Sequence, residues 1–269
     1  RESVHDVRKR CKKLRAITRI VRPHIGRDRF RASNAAFRDA ARQLSGVRDA
    51  QVIVQVLDDL VATAPAAERG ADLDAGRADL EERGRPAIES LMGRDGGLRR
   101  AHDLIEDGLE QVQTWEIDDD FDSLAGGIAK TYGRAASARR AAEKSVTTER
   151  LHEWRKRAKY HWYHLRLLCE ASPRLLTPWA DRLHDLTDVL GDDHDLAVLI
   201  DVLHDNDAFA DVEAIVALAE ARRGVLQRKA FSLGARLTAE DPDAVVDRLR
   251  VQWEAFREHG PPPRARALS

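Results

Sequence analysis

A nine-residue block occurs twice in this chain. Val4-His5-Asp6-Val7-Arg8-Lys9-Arg10-Cys11-Lys12 returns as Leu151-His152-Glu153-Trp154-Arg155-Lys156-Arg157-Ala158-Lys159, at an offset of 147 residues, and Arg19 matches Arg166 further on. A second pair follows in the same order. Leu44-Ser45-Gly46-Val47-Arg48-Asp49 is matched by Leu190-Gly191-Asp192-Asp193-His194-Asp195, at an offset of 146. Two blocks in one order, at nearly one offset, point to a duplicated unit of roughly 130–150 residues.

The pattern inside each block is helical. Charged residues make up 34% of the chain, against an expectation of about 25%. Ala, Leu, Arg, Glu and Asp dominate, and alternating β-branched runs are scarce, which favours helices with charged outer faces. Apolar periodicity and Gly/Pro punctuation place helices at about 2–22, 31–44, 48–62, 73–92, 98–114, 123–145, 178–190, 194–205, 208–238 and 241–258, with one more starting at Thr148 as its cap. The fold class expected is all-α: two pseudo-symmetric antiparallel four-helix-type bundles, residues 1–146 and 147–260, with a flexible tail over 261–269. The chain opens without an initiator Met and almost inside a helix, as a partial polypeptide would.

Average charge says nothing about partners, because the formal net charge is −1. Its distribution does. Residues 1–31 carry a net +9, and residues 180–220 a net −11. Such segregation gives a molecule one positive face. On the first helix Val4, Val7, Cys11, Leu14, Ile17 and Val21 form an apolar stripe, and His5, Arg8, Lys12, Arg15, Arg19 and Arg22 form a basic stripe beside it, flanked by Lys9. In the second copy the basic stripe is His152, Arg155, Lys159 and Arg166, flanked by Lys156 and Tyr163, with Trp162 where the first copy has Arg15. Like charges three or four residues apart on a helix repel by a few tenths of a kcal/mol per pair. Their repetition at matching positions therefore points to a ligand rather than to solvated surface. The two stripes are expected to line a shared groove for a polyanion, with the first helix making more of the contact. Arg offers forked donors for phosphate oxygens, Lys a point charge, and His5 and His152 donors that strengthen below about pH 6.5. Lys130 and Arg134 on the helix at 123–145, and Arg222 and Lys229 on the helix at 208–238, widen that groove.

These blocks resemble the CHAD family, named for conserved-histidine α-helical domains. The resemblance rests on His5-x-x-Arg8-Lys9-x-x-Lys12, on its copy His152-x-x-Arg155-Lys156-x-x-Lys159, and on Leu190-Gly191-x-x-x-Asp195, which looks like the family's second-half turn. It implies two helical bundles with a basic central surface that binds inorganic polyphosphate, and frequent association with polyphosphate granules. Family members often sit beside a CYTH-type triphosphate-processing domain that uses an E-x-E-x-K motif. No such motif occurs here, so hydrolysis is not carried over. In the first half Ser45-Gly46-Val47 departs from the usual Leu-Gly order.

Other chemistry has weaker signals. His161-x-x-His164 and Asp192-Asp193-His194-Asp195 have ligand-type residues, but acids at an expected helix start are ordinary caps. Asp49 and Asp195 are expected to act structurally, as caps or as partners of a basic helix. No G-x-S-x-G or P-loop pattern is present, and Cys11 falls on an apolar stripe. With only Cys11 and Cys169 a disulfide framework is not expected, and a reducing, cytoplasmic setting fits. The expectation is a non-enzyme that takes no cofactor or metal and has polyphosphate as its partner. A metal-dependent phosphohydrolase built on Asp192–Asp195 is one alternative. A single-stranded nucleic-acid module stacking bases on Tyr160, Trp162 and Tyr163 is the other.

Overall fold

A computed structural model of the chain describes residues 4–63, 73–92, 96–205 and 212–260, apart from the side chains at 46–51, 63, 73–76, 87–88 and 90–92. Most of the described residues are helical and none lies in a strand. The helices are α1 (Val4–Ile20), α2 (Arg22–Ile25), α3 (Arg27–Gln43), α4 (Ser45–Thr63), α5 (Leu73–Met92), α6 (Gly97–Gln113), α7 (Asp122–Lys144), α8 (Thr148–Leu168), α9 (Pro173–His204), α10 (Val212–Leu237) and α11 (Pro242–His259). The loop signals at Pro65 and Gly70, the residues 93–95, the Asp49 side chain and the tail after Gly260 lie outside the described residues. No helix among the described residues is long and apolar enough to cross a membrane.

Two compact units are woven from separate stretches of chain. One comprises Arg1–Arg15, Arg31–Thr114 and Val189–Ala230, the other Ala16–Phe30, Trp115–Asp188 and Phe231–Ser269. In the first, Cys11, Ala40, Leu44 and Ala101 form a small core against which Val4, Val7, Ala41, Leu104 and Ile105 pack. In this unit the apolar stripe of α1 thus faces inward at Val4, Val7 and Cys11, and burial pushes the Cys11 thiol up, away from reactivity. In the second unit Ile20, Ile128, Tyr132, Leu151, Trp154 and Leu165 are fully buried. There Trp154 stacks on Phe231 at 5.3 Å.

Three local expectations need correction. The cap of α8 is Thr147, not Thr148: its extended backbone lets the side chain accept from the Arg150 N–H. Residues 178–190 and 194–205 are not two helices, because α9 runs unbroken through Gly191. A helical glycine costs about 1 kcal/mol, and the buried row Leu183, Leu186, Leu190, Leu196, Leu199 and Leu203 outweighs that cost. Asp193 and Asp195 therefore cap nothing. Asp193 is buried in mid-helix, where its Oδ1 accepts from Arg223 Nε at 3.2 Å and Gln227 Nε2 at 2.8 Å on α10. Burial raises its pKa despite those donors.

The acidic turn before α7 has a defined task. Asp120 Oδ1 accepts from the Ser123 N–H at 2.9 Å, while Asp119 and Asp122 bond Arg257 and Arg250 of α11 at 2.7 and 2.6 Å. Two buried histidines sit behind α7 in the same unit. His164 Nε2 donates to the Ala16 carbonyl at 2.9 Å, joining α8 to the last turn of α1. His161 lies edge-on to Tyr132 and Trp179, at 5.2 and 5.8 Å.

Burial lowers the pKa of His161 to about 3, helped by the His164 charge. It lowers that of His164 to about 4, against the pull of the Ala16 carbonyl. Both rings are neutral when folded and bind protons more readily when unfolded. Stability is therefore complete above about pH 6.5 and falls as pH drops toward 4. Urea melts at pH 5 should show roughly 4 kcal/mol less stability than at pH 7.5, and His161→Phe should roughly halve that pH dependence.

Candidate anion-binding site

In the second unit, α1, α2, α7 and α8 meet around a small open pocket. Its walls are Arg19, Arg22, Gly127, Lys130, Thr131, Arg134, Arg157 and Tyr160, and its enclosed volume is about 20 Å³. Five of the eight wall residues are cations and none is acidic. The enclosed part holds little more than a water, so an anion would rest in the mouth with cations around it.

Gly127 creates this crowding. A β-carbon there would fall 1.8 Å from the Ile20 carbonyl oxygen, so the α7 backbone lies directly on the last turn of α1. Lys130 and Arg134 follow on the same face of α7, three and seven residues on. Only a residue without a side chain lets them approach Arg19 and Arg22 this closely. Aromatic rings brace the guanidinium groups from behind. Arg19 lies 4.3 Å from the Tyr160 ring centroid and 5.4 Å from that of Phe30, and Arg22 lies 4.6 Å from Phe30. Each such contact is worth on the order of 1 kcal/mol and costs no phosphate donor. The mutual repulsion shows at Arg134. Its pKa is lowered first by burial, then by Arg157, Arg22 and Arg19, and only Glu153 opposes the shift. Glu153 bonds both Arg157 and Lys156 along α8. A cluster of cations held together against repulsion lowers its energy by accepting an oxyanion.

The pocket gathers Arg19, Arg22, Lys130 and Arg134 of the residues singled out in the sequence. The others are placed as follows. In the first unit Arg8 donates to the Ala41 carbonyl at 3.2 Å and Arg15 to Asn34 Oδ1 at 3.3 Å, with His5 and Lys9 exposed and Lys12 half-buried. In the second unit His152 is exposed, Arg155 is half-buried and Lys156 pairs with Glu153. Lys159 and Arg166 lie over the Trp162 ring at 5.3 and 5.4 Å. Trp162 thus does more than interrupt the basic stripe, because two of its cations rest on the ring. Lys229 is exposed on α10. Arg222 faces carboxylates, in a separate cavity of about 200 Å³ within the first unit walled by Asp59, Asp192, Asp195, Val56, Leu60, Leu196 and Leu226.

Arg157 and Tyr160 belong to the pocket but were not among the sequence candidates. Arg157 corresponds to Arg10 in the repeat, yet Glu153 one turn earlier marks it as a residue paired within its own helix. Tyr160 lies one turn further along that face. The rings considered for base stacking are turned inward: Tyr160, Trp162 and Tyr163 are 6%, 3% and 5% exposed. Among the described residues no three His, Cys, Asp or Glu side chains converge to hold a metal ion. Compared with known families, residues 1–204 match the model of the CHAD domain. No curated protein matches the chain.

Replacing Gly127 by Ala should force α7 away from α1. The expected cost is about 1–3 kcal/mol of unfolding free energy, read by chemical denaturation, with a matching loss of anion affinity.

Proposed function

The chain belongs to the CHAD domain family, and we propose that it binds inorganic polyphosphate without hydrolysing it, with the five-cation pocket of the second unit as a principal phosphate contact. The observation that carries this reading is the pocket's composition: Arg19, Arg22, Lys130, Arg134 and Arg157 share one mouth with no acidic wall residue. Guanidinium groups braced on rings keep their donor edges in place for phosphate oxygens, and the two groups on α7 add charge from a second direction. A chain of linked phosphates can meet several of these cations at once, which a single phosphate cannot. Cytoplasmic residence at polyphosphate granules is part of the same proposal. His5, Arg8, Lys9, Lys12 and Arg15 in the first unit, and His152, Arg155 and Lys159 in the second, are further candidates for phosphate contact, each unit taken by itself.

Both alternatives lose support from particular residues. Single-stranded nucleic acid needs exposed rings on which bases can stack, and Tyr160, Trp162 and Tyr163 are buried. A metal-dependent phosphohydrolase needs carboxylates that converge on one ion; of the Asp192–Asp195 run, Asp193 is committed to Arg223 and Gln227, while Asp192 and Asp195 share a cavity wall with Asp59 and the cation Arg222.

Lys130→Glu/Arg134→Glu is the direct test, because both side chains are exposed and their reversal should spare the core. Titration with long-chain polyphosphate should show affinity at least about tenfold weaker than wild type, with the wild-type protein leaving chain length unaltered in the presence of Mg²⁺. Undiminished binding by the double variant would remove this pocket from the account, and shortened chains would make the protein an enzyme.

A further inference from the structure

Glu153 presents a carboxylate to a wall cation of the basic pocket. Its Oε1 accepts from Arg157 Nε at 2.6 Å and lies 2.5 Å from Nη2 in the same ion pair, while Oε2 pairs with Lys156 Nζ at 2.6 Å. The Nε–Nη2 edge of a guanidinium offers two parallel donors, the arrangement that suits a carboxylate or a phosphate. Here a single carboxylate oxygen faces both. The edge of Arg157 best suited to a phosphate is therefore engaged within its own helix, while Arg157 still lines the pocket.

This pair sits in an otherwise cationic setting. Arg19, Arg22, Lys130 and Arg134 form the rest of the charged wall. The Glu153 charge reaches Arg134, since it opposes the lowering of that guanidinium's pKa. With the pocket empty, the carboxylate relieves part of the repulsion among the cations. With a phosphate in the mouth it becomes a like charge beside the ligand, and a competitor for Arg157.

Resting on the reading of this pocket as a phosphate site, we propose that Glu153 is an internal competitor that sets its affinity: it holds the Arg157 fork until a phosphate oxygen takes its place. A ligand must bring enough charge to draw Arg157 away from Glu153. A polyphosphate chain, anchored at the same time by Arg19, Arg22, Lys130 and Arg134, meets that requirement. Lys156, bonded to the other carboxylate oxygen, keeps Glu153 partnered once Arg157 has turned to the ligand.

Glu153→Gln removes the charge, keeps the size and suits a helix, so the fold is preserved. Inorganic polyphosphate would be titrated calorimetrically into wild type, E153Q, R157Q and E153Q/R157Q at several salt concentrations. E153Q should bind about three- to tenfold more tightly. The log–log salt slope should stay close to that of wild type, because Arg157 reaches phosphate in both proteins and Glu153 only sets how readily it does so. In the R157Q background the same change should bring little or no gain. E153Q that binds no better than wild type overturns the inference, and so does a gain of equal size without Arg157, which would reflect charge at a distance. A wild-type protein that fails to bind polyphosphate overturns the functional reading and this inference with it. Wild-type binding with an unchanged E153Q overturns this inference alone.

Discussion

The backbone of α7 lies on the backbone of α1 at Gly127, where even a β-carbon would meet the Ile20 carbonyl oxygen at 1.8 Å. Helices normally keep their axes about 8–10 Å apart because side chains intervene. Removing the side chain at the crossing brings the cations of two helices together. Lys130 and Arg134 reach the mouth that Arg19 and Arg22 already occupy, and α8 supplies Arg157 and Tyr160. The His164 bond to the Ala16 carbonyl holds α8 against the same stretch of α1. The pocket is thus the product of two contacts on the end of α1, the α7 crossing at Gly127 and the His164 bond from α8, and the charges follow from them.

Holding these cations together has an electrostatic cost: the Arg134 pKa is lowered first by loss of solvent and then by Arg157, Arg22 and Arg19. The structure offsets it in two ways. Phe30 and Tyr160 lend their ring faces to Arg19 and Arg22, and Glu153 lends a carboxylate to Arg157 and Lys156. Neither device neutralises the pocket, which keeps an excess of positive charge. Elsewhere charges are paired to build structure: Arg250 and Arg257 with the acidic turn, Arg223 with the buried Asp193. A net charge of −1 for the whole chain hides this division of labour.

Helix content was plain in the sequence, because apolar residues at helical spacing leave few other solutions. The positions of α5, α6, α7 and α11 follow from periodicity and Gly/Pro signals to within a residue or so. The continuity of α9 was hidden. A glycine and a run of acids look like a helix end when their neighbours are unknown, and only the buried leucines on either side decide otherwise. Arg19, Arg22, Lys130 and Arg134 could be read as a basic set from charge and spacing, but their convergence could not. It depends on Gly127, whose role is invisible until the helix it crosses is known. Arg157 was obscured for a related reason: a Glu one turn earlier suggests a helix-internal pair, and the wall it joins is built by other helices. Trp162 looked like a break in a basic stripe, whereas it is a buried ring on which Lys159 and Arg166 lie.

On the proposed function, charge presented by a handful of converging cations carries the recognition of polyphosphate. Its most direct measure is the salt dependence of wild-type binding to polyphosphate, beside single-stranded DNA of equal charge. Neutralisation of phosphates by the five cations of the pocket should give a log–log slope on the order of −3 to −4, with DNA bound more weakly at every salt concentration. A slope near zero, or DNA bound as tightly as polyphosphate, would contradict the account.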